Sequence, residues 1–302
     1  MRKPHPLLRS VLKIGIAAVC VIAAIAAYRF LLHPMIESVF SLGAQASSIV
    51  RRVNLFLAAV LSYWGFVRFY ERRAAQELAL RWRWIALSAA VGALSIGVTI
   101  LALYITGHYE LISFRGFGQT TGIFATIWIA ATLEEVAFRG ILFRILEEGI
   151  GTKWALAASA MIFSALHLSN HGAHAITFFS VTLAGLMWAL WFIVSRNLWA
   201  AAAHHCCWNA TIFMIGLPLS GEDWRAQAAF ETVSHGSTLW TGGAFGPEDS
   251  LINVFVSFAI CAVLWRFARL ADRPEVELRQ AEVVPSLTDD PEPAFRQADH
   301  RG

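Results

Sequence analysis

Long stretches without a charged side chain recur along the chain and determine its organisation. A membrane-spanning helix needs roughly 20 mostly apolar residues to cross ~30 Å of hydrocarbon. The stretch 154–195 is too long for one crossing and is interrupted by the polar segment 169–172, so it predicts two helices. The pattern therefore predicts an all-α, polytopic membrane helix bundle of about eight transmembrane helices. The stretches without Asp, Glu, Lys or Arg are 14–28, 53–67, 84–109, 116–133, 154–195, 197–221 and 250–265.

The composition also indicates a membrane protein. The chain has 302 residues, of which 57% are hydrophobic and 15% are charged, and its mean hydropathy is +0.56. A soluble enzyme of this length carries more charged residues and fewer apolar ones. We therefore expect a multi-pass protein whose surroundings are the lipid bilayer, and we expect no nucleic-acid partner.

Basic side chains fall into three clusters that indicate the orientation. Segments rich in Lys and Arg stay in the cytoplasm. Eight crossings place all three clusters there, so we expect both termini to be cytoplasmic. The basic start followed by the stretch 14–28 is also compatible with a cleaved secretory signal, but the further apolar stretches favour an uncleaved anchor. The clusters are Arg2, Lys3, Arg9 and Lys13; Arg68, Arg72, Arg73, Arg81 and Arg83; and Arg266, Arg269 and Arg273.

The chain divides into three predicted parts. Residues 1–83 carry two accessory transmembrane helices and a basic linker, in which no chemistry is visible. Residues 84–271 form the core that contains every candidate site residue. Residues 272–302 carry four prolines and many charges, so this tail has too little apolar content to fold alone and is expected to be a disordered cytoplasmic tail.

An acidic pair interrupts the most informative of these stretches. Glu134 and Glu135, followed by Arg139, stand between the uncharged stretch 116–133 and the apolar segment 141–143. A charged group at the centre of a membrane helix costs roughly 3 kcal/mol or more, so such groups mark a functional site by default. The alternative is a helix at the membrane edge whose charges lie among lipid headgroups.

Two further helices carry polar pairs at the same spacing. Residues four apart share a face of a helix, which puts Phe163 beside His167 on one predicted helix and His205 beside Asn209 on another. Glu135 and Arg139 share a face in the same way. If the three polar faces point inward, they bring together a carboxylate, two imidazoles and an amide, which are the groups needed to activate water next to a polarised carbonyl.

These groups suggest a hydrolytic mechanism. Two adjacent carboxylates in a site of low dielectric cannot both ionise cheaply unless a cation compensates one of them. Arg139 would hold Glu135 as an ion pair, which leaves Glu134 as general base on a water molecule with assistance from His167. His205 and Asn209 would donate hydrogen bonds to the tetrahedral oxyanion. The expected reaction is hydrolysis of a peptide bond inside or beside the bilayer.

Other readings of the same residues remain open at this point. Glu134, His167 and His205 could instead bind Zn²⁺ with a fourth position left for water. No His-Glu-x-x-His spacing favours a metal, so we expect catalysis that requires no cofactor and keep zinc as the alternative. A non-catalytic membrane scaffold, a bacteriocin immunity protein and a transporter with a proton-relay carboxylate are the non-protease alternatives.

The three motifs together resemble a known family. Glu134-Glu135-x-x-x-Arg139, Phe163-x-x-x-His167 and His205-x-x-x-Asn209 are similar in order and spacing to the signature of the CPBP (CAAX protease and bacteriocin-processing) family of intramembrane endopeptidases. That family includes the Ras-converting CAAX endopeptidase. The segments 195–199 and 242–248 are also similar to bacterial members. The resemblance covers roughly 85–270.

The resemblance implies a function and a role for each motif residue. Glu134 would activate the water with His167, His205 and Asn209 would form the oxyanion site, and Glu135 and Arg139 would support them. Members were long labelled metalloproteases, whereas the structural view of the family favours glutamate catalysis. The compact loops resemble bacterial members, so we expect a protein of the bacterial inner membrane that cuts a membrane or secreted protein or peptide.

Overall fold

A computed structural model describes residues 6–271. The predicted tail 272–302 lies outside the described residues, as do Arg2 and Lys3 of the first basic cluster and Arg273 of the last. The described residues are mostly helical, which confirms the predicted fold class. The helices are α1 (Pro6–Ala27), α2 (His33–Phe40), α3 (Ala44–Gly65), α4 (Trp82–Ile105), α5 (Thr120–Glu135), α6 (Arg144–Ile150), α7 (Thr152–His167), α8 (Ala175–Ser195), α9 (Leu198–Ile215), α10 (Thr238–Thr241) and α11 (Leu251–Ala271).

π-helical turns join several of these helices into longer rods. Residues Tyr28–Leu32 connect α1 to α2, Phe66–Tyr70 extend α3, and Val136–Phe143 connect α5 to α6. The predicted helix with the acidic pair therefore runs without a break to the glycine punctuation at Gly151, whose φ of +79° ends it. A π-helical turn widens the backbone spiral and is frequent at functional sites. Here it follows Glu135 directly.

Six helical segments of the described residues are long and apolar enough to cross a membrane. Two of the eight predicted crossings, α7 and α9, are not among them: α7 has 16 residues, and α9 has 18 and includes two histidines and an asparagine. The number of eight crossings therefore stays a prediction. The six segments are Leu7–Phe40, Ala44–Tyr70, Trp82–Ile105, Thr120–Ile150, Ala175–Ser195 and Leu251–Arg269.

Helix α9 packs against α4, α5 and α8 and is the centre of the bundle. Its N-terminus is capped by Asn197, whose side chain accepts a hydrogen bond from Ala200 N at 3.0 Å. The backbones of α4 and α9 touch at Gly92, where an added Cβ would lie 2.3 Å from His204 O. A residue without a side chain at position 92 thus allows the close packing of α4 against α9.

A two-stranded sheet joins two segments that the sequence indicates as loops. Strand β1 (Tyr109–Phe114) pairs antiparallel with β2 (Phe230–Ser234), with Tyr109 opposite Ser234 and Phe114 opposite Phe230. The prediction of an all-α bundle misses this sheet, because each strand is short and its partner lies over a hundred residues away. Together with the turn after α7 and the segment that leads into α11, the sheet forms one end of the bundle, which we call the cavity end.

Buried ion pairs hold the opposite end together. Lys13 Nζ of α1 lies 2.7 Å from Glu71, Arg144 Nη2 of α6 lies 2.8 Å from the same carboxylate, and Arg73 Nη2 lies 2.6 Å from Glu77. These five residues define what we call the ionic end. The basic linker therefore docks through paired charges against the helix that carries the acidic pair.

Candidate active site

A cavity of about 350 Å³ lies between α5, α7, α8 and α9. Its wall includes Glu134, His167, His205 and Asn209, which come from three different helices. The cavity is covered at the cavity end by Asn170 and by residues of the segment between α9 and α11. Polar side chains from all three motifs therefore line the same cavity, in agreement with the inward-facing arrangement that the sequence predicts.

Glu135 joins the acidic motif to the helix of His205. Its Oε1 accepts a hydrogen bond from Arg139 Nη1 at 3.0 Å and lies 2.9 Å from His205 Nδ1. All three side chains are buried. A carboxylate only accepts, so this contact fixes the proton of His205 on Nδ1 and leaves Nε2 directed away from Glu135. The predicted ion pair with Arg139 is present, and it orients an imidazole in addition.

Aromatic side chains enclose the Arg139 guanidinium. Its carbon lies 5.1 Å from the ring centre of Phe163 and 5.5 Å from that of Trp188, and Nη2 donates to Gly185 O at 2.8 Å. Trp188 also stacks on His205 with ring centres 3.6 Å apart. The aromatic faces stabilise the buried cation, and the stacking restricts rotation of the imidazole.

Glu134 faces the cavity and has no buried cation as partner. Its side chain is 36% exposed, and its Oε2 lies 3.9 Å from His205 Nε2. No hydrogen bond joins Glu134 to His167 within residues 6–271. The histidine with a contact to Glu134 is thus His205, whereas His167 shares only the cavity with it.

His167 and Asn209 present free polar atoms to the cavity. His167 Nδ1 lies 2.8 Å from Phe163 O, and because a carbonyl only accepts, Nδ1 carries the proton and Nε2 is an acceptor. Asn209 Oδ1 is buried with no hydrogen-bond partner among the described residues. Since the two ends of an amide exchange easily, Asn209 can present either an acceptor or a donor to a ligand.

The donor set for zinc does not converge in this arrangement. Within residues 6–271, no group of three or more His, Cys, Asp or Glu side chains is placed to hold a metal ion. His205 Nδ1 contacts Glu135, and His205 Nε2 lies 3.9 Å from Glu134 Oε2. The residues proposed for zinc, Glu134, His167 and His205, therefore do not fit a preformed metal centre.

Sequence reasoning assigned no role to a further carboxylate in the cavity wall, Glu248. Its Oε2 accepts hydrogen bonds from Ser220 N at 2.7 Å and Ser220 Oγ at 2.8 Å, and Ser220 O accepts one from Asn170 Nδ2 at 2.9 Å. Burial raises the pKa of Glu248 to about 7, against the opposing effect of the Ser220 hydrogen bonds. The one signal in the sequence is its place at the end of the segment 242–248.

One comparison with known proteins matches the segment that contains the three motifs. Residues 116–211 match the protein family described as type II CAAX prenyl endopeptidase, Rce1-like. No curated protein and no solved structure matches the chain. The matched segment is less than half of the chain, but it contains all three motifs, from Glu134 to Asn209. The predicted resemblance is therefore confirmed: residues 116–211 of this membrane protein match a CAAX-type family of proteases.

Proposed function

We propose that the protein is an intramembrane endopeptidase in which Glu134 activates the attacking water. The observation that carries the proposal is the meeting of Glu134, His167, His205 and Asn209 at one cavity. Polar side chains at membrane depth are costly unless they serve a function, and these four come from three separate helices. The family match of residues 116–211 supports a peptidase in general terms.

The reaction can be written with the groups of the chain. Glu134 takes a proton from a water molecule whose oxygen attacks the carbonyl carbon of the scissile bond. His167 Nε2 accepts the second hydrogen of that water and aligns it. When the tetrahedral intermediate collapses, the C–N bond breaks and the proton held by Glu134 passes to the leaving nitrogen. The products are a new carboxylate and a new amine.

The oxyanion is stabilised by two donors on α9. Asn209 Nδ2 donates one hydrogen bond, and His205 Nε2 donates a second when the ring is protonated. Glu135 accepts from the other side of the same ring and balances its charge, as the carboxylate does in a Ser-His-Asp triad. Arg139 in turn holds Glu135 in place. Removal of one oxyanion donor typically lowers kcat about 100-fold to 1,000-fold.

The test is cleavage of a quenched peptide library by the purified protein in lipid nanodiscs. Substitution Glu134→Gln keeps the side-chain volume and removes the base, so we expect kcat to fall at least about 100-fold. Glu147→Gln, at the far end of the same helical rod, is the matched control. Undiminished cleavage by the Glu134→Gln protein would overturn the mechanism. A biological effect that survives this substitution would favour the non-catalytic scaffold.

We also propose that the reaction needs no metal. Exhaustive chelation is then expected to leave peptide cleavage unchanged, because the activating group is a carboxylate of the chain. Loss of activity that is restored by zinc and not by calcium or magnesium would contradict this and return Glu134, His167 and His205 to the role of ligands.

The cavity opens on the face of the membrane opposite the basic clusters. Further basic residues lie beside the ionic end. There, Arg81 Nη1 donates to Ser195 O at 3.0 Å, and Arg196 pairs with Glu147. The positive-inside rule then puts the ionic end in the cytoplasm and the exposed cavity residue Glu222 outside it. We therefore propose an inner-membrane protein whose substrate arrives from the extracytoplasmic side.

This orientation has a direct test. A cysteine in place of Glu222 should react with a membrane-impermeant maleimide in intact cells, and a cysteine in place of Arg72 should react only after lysis. The native cysteines lie within α1, α9 and α11, and the unsubstituted protein measures their background. The reverse labelling pattern would invert the orientation.

A further inference from the structure

The cavity wall carries an excess of negative charge. Three carboxylates line it, from Glu134, Glu222 and Glu248, together with the two histidines of the motifs. None of the described residues that line it is Lys or Arg. Arg139 lies outside the lining and is engaged by Glu135. A substrate that enters this cavity thus meets hydrogen-bond acceptors and negative charge without a basic side chain to balance them.

Glu248 is the most deeply buried of these three carboxylates. Only 8% of the residue is exposed, and both of its contacts with Ser220 involve one oxygen, Oε2. The other oxygen, Oε1, accepts no hydrogen bond within residues 6–271. Glu248 lines the cavity. A carboxylate oxygen that has no donor from the protein is suited to a ligand that supplies one.

The backbone around Glu248 holds the carboxylate in a fixed position. Ser220 adopts a left-handed conformation with φ of +48°, which is uncommon for a residue other than glycine and directs both its N–H and its hydroxyl to Oε2. Asn253 Nδ2 donates to Glu248 O at 2.8 Å. The neighbouring Asp249 is buried and accepts hydrogen bonds from Thr177 and Ser180 of α8. The position is thus built into the fold.

No Lys or Arg among residues 6–271 is placed to neutralise Glu248. The titratable groups near it are Asp249 on its own segment, His205 on α9 and Tyr109 on β1, of which only His205 can carry a positive charge. His205 already contacts Glu135 and lies near Glu134. Glu135, by contrast, has Arg139 as a counterion within the protein. Within residues 6–271, the ionised form of Glu248 therefore has no Lys or Arg as counterion, and a cationic ligand could supply one.

We propose that Glu248 is a specificity-determining residue that receives a positively charged side chain of the substrate, a lysine or an arginine, in the active-site cavity. This inference rests on the proposed endopeptidase function and deepens it by naming a substrate class. The mechanism above makes no use of Glu248, so the two can fail separately. A buried carboxylate in the substrate pocket of trypsin selects basic side chains by the same physical effect.

The effect on specificity follows from the strength of a charge-assisted hydrogen bond in a desolvated site. We expect a basic side chain at one position near the cut bond to raise kcat/KM roughly 10-fold to 100-fold over an uncharged chain of equal length. An acidic side chain at that position would face like charge and is expected to be cleaved more slowly than the uncharged one. The raised pKa of Glu248 means that the preference grows as the pH rises through about 7.

The experiment measures kcat/KM for quenched peptides that differ at one position. The variable position carries Lys, norleucine or Glu. Separate peptide sets place it at each of the three positions on either side of the cut bond. The wild-type protein should prefer Lys at one position, and Glu248→Gln should reduce the ratio of kcat/KM for the Lys and norleucine peptides at that position to about 1. Glu231→Gln is the matched control, because Glu231 pairs with Arg115 at 2.8 Å and does not line the cavity.

A second measurement is independent of where the cut bond lies. The cation 4-aminobenzamidine should inhibit cleavage of the norleucine peptide by the wild-type and Glu231→Gln proteins, and at least about tenfold less by Glu248→Gln. A Lys preference that persists in Glu248→Gln, or a wild-type protein that cleaves all three peptides equally, would overturn the inference and leave the endopeptidase function intact. Failure to cleave any peptide would instead refute the endopeptidase function, and the inference with it.

Discussion

The ionic end and the active-site cavity both contain buried carboxylates, but these carboxylates differ in their basic partners. At the ionic end, Glu71 and Glu77 each contact at least one basic side chain at 2.8 Å or less. Beside the cavity, Glu135 pairs with Arg139 at 3.0 Å. Glu134 and Glu248, which line the cavity, have no Lys or Arg within ion-pair distance among the described residues. The difference lies in the counterions and not in the number of acidic groups.

This difference distinguishes carboxylates that stabilise the fold from carboxylates that are available for catalysis or for binding a substrate. Burial alone would raise the pKa of Glu71 and the pKa of Glu77. Hydrogen bonds from Lys13 and Arg144 outweigh burial at Glu71, and hydrogen bonds from Arg73 and Tyr63 outweigh it at Glu77, so both pKa values are lowered. Glu248 has only neutral donors, so burial prevails and its pKa rises. A carboxylate whose charge is already neutralised cannot serve readily as a base or bind a cation. Those without a counterion remain available to a substrate.

The largest effect is expected from removal of Arg139, the cation that pairs with Glu135 beside the cavity. Arg139→Ala leaves Glu135 buried without its counterion, which typically costs about 3–5 kcal/mol of stability. At the ionic end, Arg73→Ala should cost about 0–1 kcal/mol, because Arg73 is partly exposed and Arg144 and Tyr63 remain near Glu77. Thermal unfolding of both variants in detergent measures the contrast. Equal losses would remove the distinction between the two regions.

The pH dependence of stability should differ between the two ends by roughly 1–3 kcal/mol. Because the folded-state pKa of Glu248 is raised, the folded protein binds that proton more tightly than the unfolded chain, and stability falls as the pH rises from about 4.5 to about 7. The pKa values of Glu71 and Glu77 are lowered, so their contribution is lost as the pH falls below about 4.5.

Variants at each end make this pH dependence testable. Glu248→Gln cannot ionise, so its melting temperature should no longer fall between pH 5 and 7, whereas Glu77→Gln should keep that fall and lose part of the decline below pH 4.5. The measurement is the melting temperature across this pH range. A Glu248→Gln protein with the wild-type profile would contradict a buried carboxyl group that ionises near pH 7.

The smallest effect is expected where the two regions connect. Tyr63 Oη donates to Glu77 Oε1 at 2.5 Å and lies 3.2 Å from Gly140 O, just beyond Arg139. An added Cβ at Gly140 would lie 3.1 Å from the Tyr63 ring, so a larger residue there would require the ring to shift by a few tenths of an ångström. Tyr63→Phe should cost about 1 kcal/mol and leave kcat of the peptide reaction within about threefold. A much larger fall in kcat would show that the ionic end positions the active site.

Much of the architecture follows from local patterns in the sequence. The predicted break at 169–172 falls between α7 and α8, and α9 lies within the uncharged stretch 197–221, because polar interruptions and apolar length act over a few residues. The spacing within each motif likewise fixes which residues share a face. Helical periodicity carries this information without knowledge of any other part of the chain.

The remaining features depend on contacts between distant segments. The 2.9 Å contact between His205 and Glu135 requires that α5 and α9 be neighbours, which no spacing within one helix reveals. The position of Glu248 depends on a turn at Ser220 and on contacts with α8. The paired strands β1 and β2 lie more than a hundred residues apart in the sequence. One sequence records the residue types at these places and not their partners.

The most direct test of the central claim is a single turnover in water enriched in ¹⁸O, with enzyme in excess over peptide. If Glu134 acts as a base on water, mass spectrometry of the new carboxylate will find one ¹⁸O atom in the first turnover. An unlabelled carboxylate in that turnover would mean that an enzyme oxygen attacked the substrate, which would contradict water activation by Glu134.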